Sequence, residues 1–98
     1  MKYTYVLSEG AVADINEIFE FGEYKFSNAQ SIKYLIDLEE HFEKLSDNPD
    51  IGGERNDIKK GLYSLPYISH IIFYRKLKGK LRIVRILYGG RDLIRFLE

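Results

Sequence analysis

Few side chains in this sequence are equipped for chemistry, and their spacing narrows what that chemistry can be. Histidine occurs twice, at His41 and His70. Two imidazoles so far apart do not suggest a zinc motif. Cysteine is absent, which removes thiol nucleophiles, Cys-held metals and a disulfide framework, and fits a reducing cytoplasm. Gly52-Gly53 and Gly89-Gly90 lack the flanking pattern of a phosphate-binding glycine loop. A Ser-His-Asp set can be assembled from the residues present, but no spacing recommends it. No metal and no cofactor are expected.

Arginine and tyrosine near the C-terminus are more informative. Arg85 alternates with Ile83 and Leu87, so it is expected on their side of a sheet, where a charge needs a carboxylate partner or an anionic ligand. Tyr88 titrates near pH 10 when unperturbed, a poor base without strong activation. It reads first as a ring at the core's edge with its hydroxyl at the rim. His70 opens a strand-like run and reads first as a hydrogen-bonded structural residue. His41, among Glu39, Glu40 and Glu43, reads as solvated surface. The run Arg75-Lys76-Lys78-Lys80-Arg82 is either a solvated hairpin or a docking patch.

The elements that must position these residues follow from periodicity. Residues 2–7 are aromatic and β-branched and predict a strand. Ser8 predicts an N-cap, with Glu9 in the first turn. Ala11, Ile15, Ile18 and Gly22 recur at helical spacing, with Asp14, Glu17, Glu20 and Glu23 expected mainly on other faces. After a break at Lys25-Phe26, Ser27 to Gln30 has the form of a capping box. Leu35, Leu38, Phe42 and Leu45 then mark a second helix ending near Ser46, stopped by Asn48-Pro49-Asp50. The short break predicts an antiparallel helical hairpin.

Residues 50–60 read as loop. Strands are predicted at Leu62–Leu65, interrupted by Pro66, at His70–Arg75 and at Leu81–Tyr88, the last two joined by a hairpin loop over Lys76–Lys80. Arg91 to Glu98 predicts one or two turns of terminal helix. The order β-α-α-β-β-β-α implies an α+β domain, an antiparallel sheet packed against an N-terminal helical hairpin.

At 98 residues and 45% hydrophobic content the chain is one globular domain, 1–98, with a modest core. No apolar run is long enough to span a membrane, the N-terminus has no signal-peptide core, and a cytoplasmic location is expected. The net charge of zero hides a division. Residues 1–50 hold four basic against eleven acidic side chains, net −7; residues 51–98 hold eleven against four, net +7. The C-terminal half is where an anionic partner would dock, unless the two halves neutralise each other across the fold. Zero net charge argues against tight, sequence-independent nucleic-acid binding through many phosphates.

Five local patterns, in this order, resemble the RelE/ParE toxin superfamily and its ParE branch most. They are Tyr5-Val6-Leu7-Ser8 before Ala11 and Asp14-Ile15; Leu45-Ser46-Asp47-Asn48-Pro49 with Gly52; Gly61-Leu62-Tyr63; Ser69 to Arg75; and Ile83 to Asp92. The resemblance implies the toxin of a type II toxin–antitoxin pair, in a hetero-oligomer with a cognate antitoxin whose disordered C-terminal segment folds onto it. It implies one of two targets: DNA gyrase for ParE-like members, or messenger RNA on the ribosome for RelE-like endoribonucleases. Cleavage at a 2′-hydroxyl needs proton acceptors and donors and cations around the phosphorane. Arg85 and Tyr88 occupy matching places, and His70 stands where ribonuclease members carry arginine, a version resembling ParE. The ribonuclease set is incomplete. The expectation is therefore a non-catalytic gyrase inhibitor working through Arg85, Tyr88, Arg91 and Phe96, with Arg75 and Arg82 as further target-binding candidates. A ribonuclease using Arg85, Tyr88 and His70, or a non-toxic binding module or corepressor, are the alternatives.

Overall fold

The computed structural model describes residues 3–90 and 93–97. Strand β1 (Thr4–Leu7) leads into α1 (Glu9–Lys25) and α2 (Asn28–Asp47). There follow β2 (Gly53–Glu54), β3 (Leu62–Tyr67), β4 (His70–Leu77), β5 (Lys80–Tyr88) and a short α3 (Leu93–Leu97). The α+β class and the expected elements hold, with one addition. Gly53–Glu54, expected as loop, pairs with β3 as a two-residue edge strand. It is positioned by the buried Tyr74, whose Oη donates to the Pro49 carbonyl at 2.8 Å and accepts from Gly52 N–H at 3.1 Å. The β4–β5 turn is also tighter than expected. Leu77 and Lys80 are paired, leaving Lys78 and Gly79, with Gly79 at φ +72°.

Both long helices start as the serines predict. Ser8 Oγ accepts from Ala11 N–H at 3.0 Å and Ser27 Oγ from Gln30 N–H at 3.1 Å, each satisfying a donor that has no partner inside the helix. The hairpin closes tightly where α1 carries Gly22: a Cβ there would stand 2.6 Å from Ser31 Oγ. Among the described residues no helix is long and apolar enough to cross a membrane.

The sheet order is β1-β5-β4-β3-β2. Every pairing is antiparallel except β1 with β5, which is parallel. The sheet is therefore mixed at one edge rather than antiparallel throughout. The helical hairpin crosses one face before the strand meander returns, and that long connection lets the last strand lie beside the first in the same direction. The helices bury Ala11, Leu38, Phe42 and Leu45 against Ile72, Tyr74, Leu81, Ile83 and Ile86. On the opposite face α3 and the loop before β3 cover a smaller cluster, Leu62, Phe73, Leu87 and Leu97, with Val84 and Ile71 beside it.

A register shift between Phe73 and Tyr74 carries consequences. Phe73 faces Arg85, but Tyr74 faces Ile83, so Val84 is an extra residue in β5. Side-chain alternation changes phase at such a bulge. Ile83 joins the cluster under the helices and Leu87 the opposite one. The expectation that Arg85 shares one face with both is overturned for this reason.

Candidate functional site

Strand β1 covers β5 only as far as the Leu7–Ile83 pair. There the chain turns into α1. Ser8 N–H donates to the Ile83 carbonyl at 3.0 Å and Ser8 Oγ to the Val84 carbonyl at 2.6 Å. Past that point, among the described residues, no strand neighbours this edge of β5, and Asp14 takes its place. One carboxylate oxygen accepts from Ile86 N–H at 2.9 Å. The same carboxylate accepts from Arg85 Nε at 2.7 Å and Nη2 at 2.9 Å, the bidentate geometry that suits guanidinium best. Arg85 Nη1 donates onward to the Phe96 carbonyl at 3.2 Å, and its guanidinium lies 5.8 Å from the Phe96 ring centre. Hydrogen bonding to Asp14 raises the Arg85 pKa against the opposing effect of burial. One arginine thus joins α1, β5 and α3.

Asp14 was expected, with the other acids of α1, mainly off the apolar stripe, yet it is only 4% exposed. Its position carried the signal: it sits three residues after Ala11 and four before Ile18, inside the apolar stripe. An acid in such a stripe calls for a buried cation.

Next to this pair the tip of the helical hairpin overhangs the end of the sheet and encloses an open groove of about 720 Å³. Ile18, Phe21 and Phe26 line it from the hairpin, Tyr34 from α2, Ile68 from the β3–β4 turn, His70 from β4 and Tyr88 from β5. Phe21 is 60% exposed, Phe26 67%, Ile68 73% and Tyr88 53%, an apolar concentration of the kind found at interaction surfaces. Ile68 adds strain. It takes φ 52° as first residue of the two-residue turn closed by the Tyr67–His70 pair, a position that favours glycine.

His70 and Tyr88 are brought together. They face each other across β4 and β5, ring centres 6.1 Å apart. His70 Nδ1 is hydrogen-bonded to Tyr34 Oη at 2.8 Å, and Tyr67 Oη donates to the Tyr34 carbonyl at 3.1 Å. Burial raises the pKa of Tyr34 and, with help from the Asp37 charge, pushes Tyr67 up to about 12. His41, expected as solvated surface, instead meets the Tyr67 ring edge-on at 4.5 Å and donates from Nδ1 to the Asp37 carbonyl at 2.9 Å. Its i+4 spacing from Asp37 allows this.

The named candidates therefore divide. Arg85 and Phe96 touch, His70 and Tyr88 touch across the strands, and Arg75 and Arg82 pair with each other near the far end of the same strands. Arg91 lies outside the described residues.

Comparison with known proteins agrees with this geometry. The family model for the ParE toxin of the type II toxin–antitoxin system parDE matches residues 5–93. Toxin ParE1 of Mycobacterium tuberculosis is 32% identical over 96 residues, covering 97% of this chain and 98% of the relative. Toxin ParE1 of Caulobacter vibrioides is 27% identical over 88 residues, 90% of this chain and 91% of that one. A solved structure titled as the chromosomal ParDE toxin–antitoxin system from P. aeruginosa shares the fold, with a TM-score of 0.78 at 18% identity, over 89% of this chain and 96% of that one. Local motifs, strand order and whole-chain similarity converge: the chain belongs to the ParE toxin family of type II toxin–antitoxin systems.

Proposed function

We propose that this toxin arrests growth by inhibiting DNA gyrase through protein–protein contact, in the cytoplasm, and that a cognate antitoxin neutralises it. The observation that carries the non-catalytic reading is the state of Arg85. A ribonuclease would need that cation beside the phosphorane, but two of its nitrogens are committed to Asp14 and a third to the Phe96 carbonyl. Among the described residues no other cation lines the groove beside His70 and Tyr88 to stabilise the transition state. The exposed groups around them suit docking better. Tyr88, Ile68, Phe21 and Phe26 supply large apolar anchors of the kind that dominate protein interfaces. Arg85 positions the working surface by holding Phe96 and α3 against the sheet, and Arg91 is a further candidate for contact with the target. The antitoxin's C-terminal segment, disordered when free, covers the groove under the hairpin and orders as it binds.

Induced expression tests the reading. Filamentation with a DNA-damage response supports gyrase as target. Rapid loss of protein synthesis with ribosome-dependent cleavage of messenger RNA overturns it in favour of the ribonuclease reading. Unimpeded growth favours a non-toxic binding module.

A further inference from the structure

Arg75 and Arg82 stand directly opposite each other on β4 and β5. Like charges at facing positions of an antiparallel pair repel, so the pairing destabilises the free chain and is relieved when an anion meets it. Among the described residues neither arginine forms an ion pair with a carboxylate; Arg75 Nη1 donates to the Lys60 carbonyl at 3.2 Å. Alternation puts Arg75 on the face that holds Phe73, away from the helical hairpin, and Arg82 on the same face as Val84. Lys78 and Lys80 at the adjoining turn, and Lys59 and Lys60 in the loop beside Arg75, are exposed. The acidic half of the chain, with both long helices, packs on the other face. The molecule is thus two-sided: acidic helices on one side, a cationic sheet face on the other.

Two kinds of macromolecule could meet such a face, an acidic protein or a nucleic acid. The distribution of apolar groups decides between them. The large exposed anchors gather in the groove at the other end of the sheet, whereas among the described residues the strands near Arg75 and Arg82 expose only Val6, Leu7 and Leu77 among large hydrophobics, each less than 40%. Protein interfaces draw their energy from buried apolar and aromatic anchors; phosphate backbones are bound chiefly by cations and polar groups and need no apolar anchor. Phe73, the ring beside Arg75 on this face, is fully buried, so it cannot stack an unpaired base. We propose that this face docks on the phosphate backbone of double-stranded nucleic acid. Arg75 and Arg82 sit at the centre and Lys78 and Lys80 beside them, with the acidic helices turned outward. Zero net charge keeps the binding weak and confined to this side. The inference goes beyond inhibition of gyrase and is testable without gyrase, so its failure leaves that reading intact.

The test is fluorescence anisotropy of a short labelled duplex titrated with the full chain at rising salt. Four phosphate contacts predict a slope of log affinity on log salt of roughly −3 to −4, with dissociation constants of about 10⁻⁶–10⁻⁴ M. Arg82→Glu is expected to weaken binding about tenfold while its melting temperature holds or rises, because the facing arginine gains an opposite charge. A residue with only a structural role would lose both together. Should Arg82→Glu fail to fold, the turn variant Lys78→Glu/Lys80→Glu reads the same face and is expected to weaken binding likewise. Lys33→Glu on α2 is expected to leave binding unchanged. Absence of duplex binding at low salt overturns the proposal, as does binding that ignores the sheet-face variants. Tighter binding to polyglutamate than to the duplex also overturns it, in favour of an acidic protein.

Discussion

Asp14 accepts twice from Arg85 and once from Ile86 N–H, so replacing it strips three donors of their acceptor at once. Asp14→Ala is expected to lower stability by about 3 kcal/mol, the low end for a broken buried pair because Arg85 keeps some access to water; chemical denaturation measures it. Asp14→Asn retains one acceptor for the backbone and should lose less. A second residue-scale expectation concerns alkali. In the folded chain Tyr67 titrates at about 12 rather than 10.0, so folding favours the neutral phenol. That contribution is complete below pH 10 and is lost as pH rises from 10 towards 12. The urea midpoint should fall across that window, and less steeply in Tyr67→Phe. Of the residues involved, Arg85's need for a carboxylate or an anion was legible in the sequence. That the carboxylate is Asp14 was not, because the two are 71 positions apart and only the folded sheet brings them together.

At the scale of elements, helices and strands were legible because each has its own period of apolar residues and its own end signals, Ser8 and Ser27 among them. Pairing was less so. Nothing within Thr4–Leu7 reveals that its neighbour is β5 and runs parallel to it. Nor do residues 81–88, where Ile83-Val84 and Ile86-Leu87 stand as adjacent apolar pairs, disclose by themselves that Val84 is the extra residue. Register is a property of two strands, and one sequence segment carries half of it. Proline at position 66 likewise did not end β3, which continues to Tyr67. The β3–β4 turn gives an element-scale prediction. Ile68 holds a positive φ there while exposing its side chain at the groove. Ile68→Gly should raise stability by about 1 kcal/mol, relief of strain less glycine's greater entropy when unfolded, read by thermal melting. If the groove is a docking surface, the same variant should bind the antitoxin less tightly.

For the molecule as a whole, the groove and the cationic face lie towards opposite ends of the β4–β5 pair, with the Asp14–Arg85 link at the groove end. Acidic and basic halves of the sequence map onto opposite sides of the sheet, so the charge division visible in the chain is partly kept apart rather than cancelled. On these proposals the apolar end meets a protein partner and the basic face an anion. Supercoiling by purified gyrase, with this protein titrated in, tests the central claim most directly. Dose-dependent loss of supercoiling, weakened by Tyr88→Ala and reversed by the antitoxin, is the predicted result. Full supercoiling activity across a wide dose range of the folded protein would contradict it.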